Sequence, residues 1–78
     1  MGNTITKEQL EEIEEAKTWG ERQEAYALLE KYTGIKAKPC IIFLFYDDAD
    51  NYIGDDDNHT IRDLLENAYI DVVEKGGE

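Results

Sequence analysis

The chain predicts a small α+β domain, and three observations predict it. Three stretches repeat apolar residues at helical spacing. One run of β-branched and aromatic residues reads as a strand buried on both faces. Glycine or proline stands near the junctions between these segments. At 78 residues the chain forms a single domain, 1–78, near the size where one core is just sufficient. A hydrophobic content of 41% is enough to build that core.

Two helices open the chain. Thr6 followed by Gln9 makes a capping box, with Ile5 placed to pack on Leu10 as a hydrophobic staple. From Lys7 to about Lys17 the apolar stripe is narrow: Leu10, Ile13 and Ala16. Thr18-Trp19-Gly20-Glu21 repeats the capping-box spacing around a glycine, which predicts a break. The second helix runs to about Tyr32 on the stripe Ala25, Leu28, Leu29 and Tyr32, and Gly34 stops it. An antiparallel pair is expected, with one bent helix as the alternative.

Ile35 to Pro39 is a basic connector, because proline bars helix continuation. Cys40 to Tyr46 is apolar on both faces and predicts the buried central strand. An acidic loop follows, Asp47 to Asp57, in which Tyr52-Ile53 is a candidate returning strand. A third helix starts near His59 or Thr60 on the stripe Ile61, Leu64, Leu65 and Ala68. Tyr69 to Val73 predicts a short final strand; the alternative continues the helix to Lys75. Residues 1–5 and 76–78 are expected to fray.

Charge is the strongest signal. Nineteen acidic and eight basic residues give a formal charge of −11. Residues 1–38 hold eight acidic and six basic side chains, whereas residues 39–78 hold eleven and two. Six of the eleven residues in DDADNYIGDDD are aspartate. Such a surface repels nucleic acid and anionic membrane and attracts basic proteins. A single cysteine excludes an internal disulfide. The first residues lack a basic segment followed by an apolar one, and no run approaches the roughly 20 apolar residues of a membrane helix. A cytoplasmic protein is expected.

Chemistry-bearing motifs are sparse. Aligning Gly54 with the glycine of a calcium loop puts Ala49, Asn51 and Ile53 at ligand positions and Thr60 where glutamate belongs, so that pattern fails. Cys40, His59 and an aspartate supply the types for nucleophilic catalysis, but Cys40 at the start of a buried strand reads as an inert thiol. His59 reads as a cap or surface residue. No glycine-rich phosphate loop occurs, and no cofactor is implied. A non-enzymatic protein is expected. Trp19 and the tyrosines lack the basic groove that nucleic-acid stacking needs.

The remaining reading inverts the last one. Duplex DNA carries about one negative charge per 1.7 Å of axis. Carboxylates stand roughly 5–6 Å apart at helical i, i+3 and i+4 positions. They stand roughly 6.6 Å apart on alternate strand residues. Asp47, Asp48, Asp50, Asp55, Asp56 and Asp57 can therefore present charge as phosphates do. Glu11, Glu12, Glu14 and Glu15 extend the line if the first helix lies alongside, and Tyr52 adds apolar contact. A solvated face is the plain alternative, yet a net −9 over residues 39–78 exceeds the roughly 2–8 charges that solubility asks of a small domain.

In its acidity, single cysteine, and DDADNYIGDDD and EEIEE clusters, the chain resembles the small DNA-mimic inhibitors encoded by bacteriophages. That group shares chemistry and no alignable motif. The resemblance implies host takeover by inhibition of a basic DNA-binding host protein, such as the nucleoid protein HU. A second reading is an adaptor or antitoxin-like module using an apolar face with Trp19; a third is a divalent-cation binder. Homodimerisation is expected to suit a sheet of so few strands.

Overall fold

A computed structural model describes residues 4–74, which form three helices and five short strands, an α+β arrangement. The first strand, β1 (Thr4–Thr6), runs straight into α1 (Lys7–Trp19). The junction is the expected capping box. Thr6 Oγ1 accepts from the Gln9 N–H at 3.0 Å, and Gln9 Oε1 accepts from the Thr6 N–H at 3.0 Å. Leu10 and Ile13 are the buried face of α1. The expected fraying of residues 1–5 is overturned at Thr4 and Ile5. They pair with a strand from the far end of the chain, and Ile5 is fully covered. The expectation for residues 1–3 and 76–78 lies outside the described residues.

α1 ends at Gly20, and α2 (Arg22–Thr33) begins after Glu21, so the two helices are separate. The second capping box does not form: Thr18 belongs to α1, and Glu21 makes no side-chain cap. The helices fold back on each other, and the Tyr32 hydroxyl donates to Glu12 at 2.6 Å. Gly34 closes α2 at φ 82°, a left-handed conformation that costs glycine little.

The connector read as basic is itself a strand, β2 (Lys36–Lys38), antiparallel to β3 (Leu44–Tyr46). β4 (Tyr52–Asp55) pairs antiparallel on the other side of β3. The predicted central strand therefore exists, but it covers three residues where seven were expected. Pro39 ends β2, and 39–43 turn the hairpin. Cys40 and Ile41 consequently point to solvent, with Ile41 99% exposed, which overturns the buried-thiol reading.

α3 (Ile61–Asn67) starts on a second capping box between Thr60 and Asp63. Tyr69 takes φ 60° and stops any continuation of the helix. β5 (Asp71–Val73) then lies parallel to β1, as the predicted final strand. The core joins both sheets to all three helices through Leu10, Leu29, Phe45, Ile53, Leu64 and their neighbours. Tyr26, outside the predicted stripe, is buried edge-on to Phe43 and Phe45 at centroid distances of 4.9 and 4.8 Å. No helix among the described residues is long and apolar enough to cross a membrane.

Candidate functional site

The stretch expected as one acidic loop is divided by β4 into two turns at opposite ends of a strand. Four strand residues at about 3.3 Å each separate them by roughly 13 Å. Each turn is organised around one aspartate whose carboxylate is fixed by local donors.

At the first turn, Asp47 accepts from the N–H groups of Ala49 at 2.9 Å and Asn51 at 2.8 Å, and from Asn51 Nδ2 at 3.2 Å. The Asn51 backbone bond is the main reason its carboxyl sits below the ordinary aspartate range. Asp50 takes φ 66°, a conformation aspartate tolerates, and accepts from Lys36 Nζ at 2.9 Å. That bond lowers the Asp50 carboxyl and raises the Lys36 ammonium. Asp48 is exposed.

At the second turn, Asp55 accepts from the N–H groups of Asp57 and Asn58, from Asn58 Nδ2 and from the Tyr52 hydroxyl. Desolvation pushes its carboxyl up, but these donors together outweigh it and leave Asp55 below the ordinary range. Tyr52 is held above the usual phenol range by desolvation and by its bond to Asp55. Its ring is half-exposed against Tyr46 at 5.8 Å.

Asp56 departs from the expectation. Its side chain is 1% exposed, bound to Arg22 Nη1 at 2.9 Å and to the Phe43 N–H at 3.1 Å. A carboxylate taken from water must be paired, so Asp56 faces inward as a latch between α2 and the β2–β3 turn. Its place in a partner-binding surface is withdrawn. Asp57, the next residue, is exposed.

On α1, Glu11 and Glu15 are exposed, Glu14 is half-buried, and Glu12 is engaged by Tyr32. α1 packs chiefly on α2, β1 and β5. Glu14 does line a shallow groove with Arg22 and Thr60, which places it beside the second aspartate turn. The exposed acids thus form separate groups along the molecule.

Asp55 N–H donates to His59 Nδ1 at 3.3 Å, and the imidazole lies directly on Gly54. His59 is therefore part of the turn's packing, a role the sequence did not signal. No hydrogen bond joins it to Cys40 among the described residues. Among those residues no three histidine, cysteine or acidic side chains converge as metal ligands. The Asp47 and Asp55 carboxylates are instead occupied by amide donors.

Trp19, which the sequence offered as an apolar contact, is 86% exposed, and sequence reasoning missed two further exposed apolar side chains, Ile41 at 99% and Tyr69 at 87%. Ile41 was hidden in a run that looked buried, and only the hairpin turn exposes it. No protein-family model, curated protein or solved structure matches the chain.

Proposed function

We propose that this protein is a non-enzymatic inhibitor that imitates the charge of DNA and binds the DNA-binding surface of a basic host protein. The observation that carries the reading is that a charge of −11 is displayed partly on two turns, in each of which one carboxylate, Asp47 or Asp55, is fixed by the turn's own amides. Preorganised charge binds without a further ordering cost, and like a phosphate row it meets lysine and arginine by fast, salt-sensitive association. The contact surface in this reading comprises Asp47, Asp48, Asp50, Asp55 and Asp57 with the half-exposed Tyr52 beside them, while Glu11 and Glu15 on α1 form a separate acidic group. A small nucleoid protein such as HU suits such a surface in size. A bacteriophage origin and action in the host cytoplasm belong to the same proposal.

The exposure of Trp19, Ile41 and Tyr69 favours one competing reading, an adaptor that docks through apolar side chains. Salt separates the two. In an affinity pull-down from bacterial lysate, a DNA-binding protein retained at low salt and released at high salt supports mimicry. Capture that persists at high salt supports the adaptor.

A further inference from the structure

Both outer edges of the three-stranded sheet are protected. The β2 edge carries Lys36 and Lys38 and runs into Pro39, devices that discourage pairing with another strand. The β4 edge is capped by side chains: Asn67 Nδ2 donates to Ile53 O at 2.9 Å, and His59 Nδ1 takes the Asp55 N–H.

The two-stranded sheet is treated differently. On β1 the Thr6 N–H is taken by Gln9. β5 reads Asp71-Val72-Val73, with neither lysine nor proline, and no side chain bonds its backbone among the described residues. Among the described residues β1 is its one neighbour in the sheet, so β5 turns the backbone groups of alternate residues away from it. An open groove of about 410 Å³ lies alongside, lined by Arg62, Leu65, Tyr69 and Val72 among others. Tyr69 stands there 87% exposed at φ 60°, a conformation a bulky aromatic rarely adopts, and Val72 is 38% exposed.

We propose that the outer edge of β5 is a strand-addition site for a short, extended, basic segment of a partner protein. The segment lies beside Asp71–Val73, pairs with the open backbone groups and sets an apolar side chain against Val72 and Tyr69. Charge selects this occupant. Among the described residues Glu66, Asp71 and Glu74 are exposed around the edge, against Arg62 as the cation lining the groove. A second copy would bring a further −11 to the same place. Side chains alternate across a strand, so a segment alternating lysine with an apolar residue meets both features. Ile70 lines this groove and also a small cleft shared with Asp47 and Asp48, so the edge adjoins the first aspartate turn, but the proposal stands whether or not the turns imitate DNA.

The test titrates the isotope-labelled full chain with a capped seven-residue peptide alternating lysine and valine. A parallel titration uses the same peptide methylated on every backbone nitrogen, which keeps the charge and removes the donors. Amide exchange at Asp71 to Glu74 is expected to slow by about tenfold with the first peptide and not with the second. Three results would overturn the proposal: equal responses to both peptides, perturbation confined to Asp47–Asp57, or β5 protection in the free chain that grows with its own concentration.

Discussion

Arg22 Nη1 donates to Asp56 Oδ2 at 2.9 Å across thirty-four residues of sequence, and the two ends differ sharply in exposure: 57% for the arginine side chain and 1% for the aspartate. The pair fixes the start of α2 to the end of β4. Asp56 Oδ1 also accepts the Phe43 N–H, while the Asp56 N–H donates to Phe43 O at 3.1 Å. Asp56 is thus structural, whereas Asp57 beside it is exposed.

That contrast predicts opposite behaviour for neighbouring aspartates. Asp56→Ala leaves the Phe43 N–H without its acceptor and is expected to lower stability by about 1–3 kcal/mol, the usual cost of an unmet buried donor. Asp57→Ala is expected to stay within about 0.5 kcal/mol of the parent, as exposed substitutions do. Urea midpoints at constant m-value measure both.

Gly54 supplies a backbone prediction. It takes φ 148°, and a Cβ there would stand 2.8 Å from His59 Cγ. Gly54→Ala is expected to cost about 1–3 kcal/mol, the usual scale for a strained backbone position. Pairing it with His59→Ala relieves the clash and leaves the backbone strain. The double variant is therefore expected to lose less than the two single losses combined.

Tyr26 carries a cost that can be removed. Its hydroxyl is buried with no hydrogen-bond partner among the described residues, and burial foremost, then Asp56, holds it above the ordinary phenol range. Tyr26→Phe keeps the edge-on contacts with Phe43 and Phe45 and deletes the unmet hydroxyl. Thermal unfolding is expected to shift upward by a few degrees, against a downward shift for Tyr26→Leu, which loses the ring contacts.

Acid titration reads the two turns. Asp47 and Asp55 are lowered in the folded state. Their contribution is fully present above the unfolded aspartate value of about 3.9 and is lost as pH falls through the folded values. Lys36 is raised by its bond to Asp50, so its contribution holds below about 10.4 and is lost as pH rises through the folded value. Asp47→Asn and Asp55→Asn are each expected to flatten the acid limb of the stability curve. Lys36→Met is expected to flatten the alkaline limb.

What could be read from the sequence was local. Thr6 with Gln9, the stripe through Ala25 and Leu29, and Gly34 as a stop concern residues within one or two turns of each other, and each is in place. β1 was missed because Thr4-Ile5-Thr6 becomes a strand only through Asp71–Val73, far along the chain. β2 was missed because lysines on an edge strand read as a solvated connector. The apolar run at Cys40 to Tyr46 has the same periodicity whether buried or turned, so Ile41 could not be placed outside. Within Asp55-Asp56-Asp57 no local feature marks the middle residue as inward. Arg22, which fixes it, is thirty-four positions away.

The central claim is displacement of DNA by carboxylates. It is tested most directly by fluorescence anisotropy of a labelled duplex bound to HU, with this protein as competitor. The expected result is release of the duplex at low salt and loss of the effect between about 50 and 200 mM salt, as counterion release requires. Weaker release is expected from the double variant Asp48→Asn with Asp57→Asn, whose circular dichroism should match the parent. A duplex that stays bound at the lowest salt, whatever the competitor concentration, would contradict mimicry of DNA toward that target.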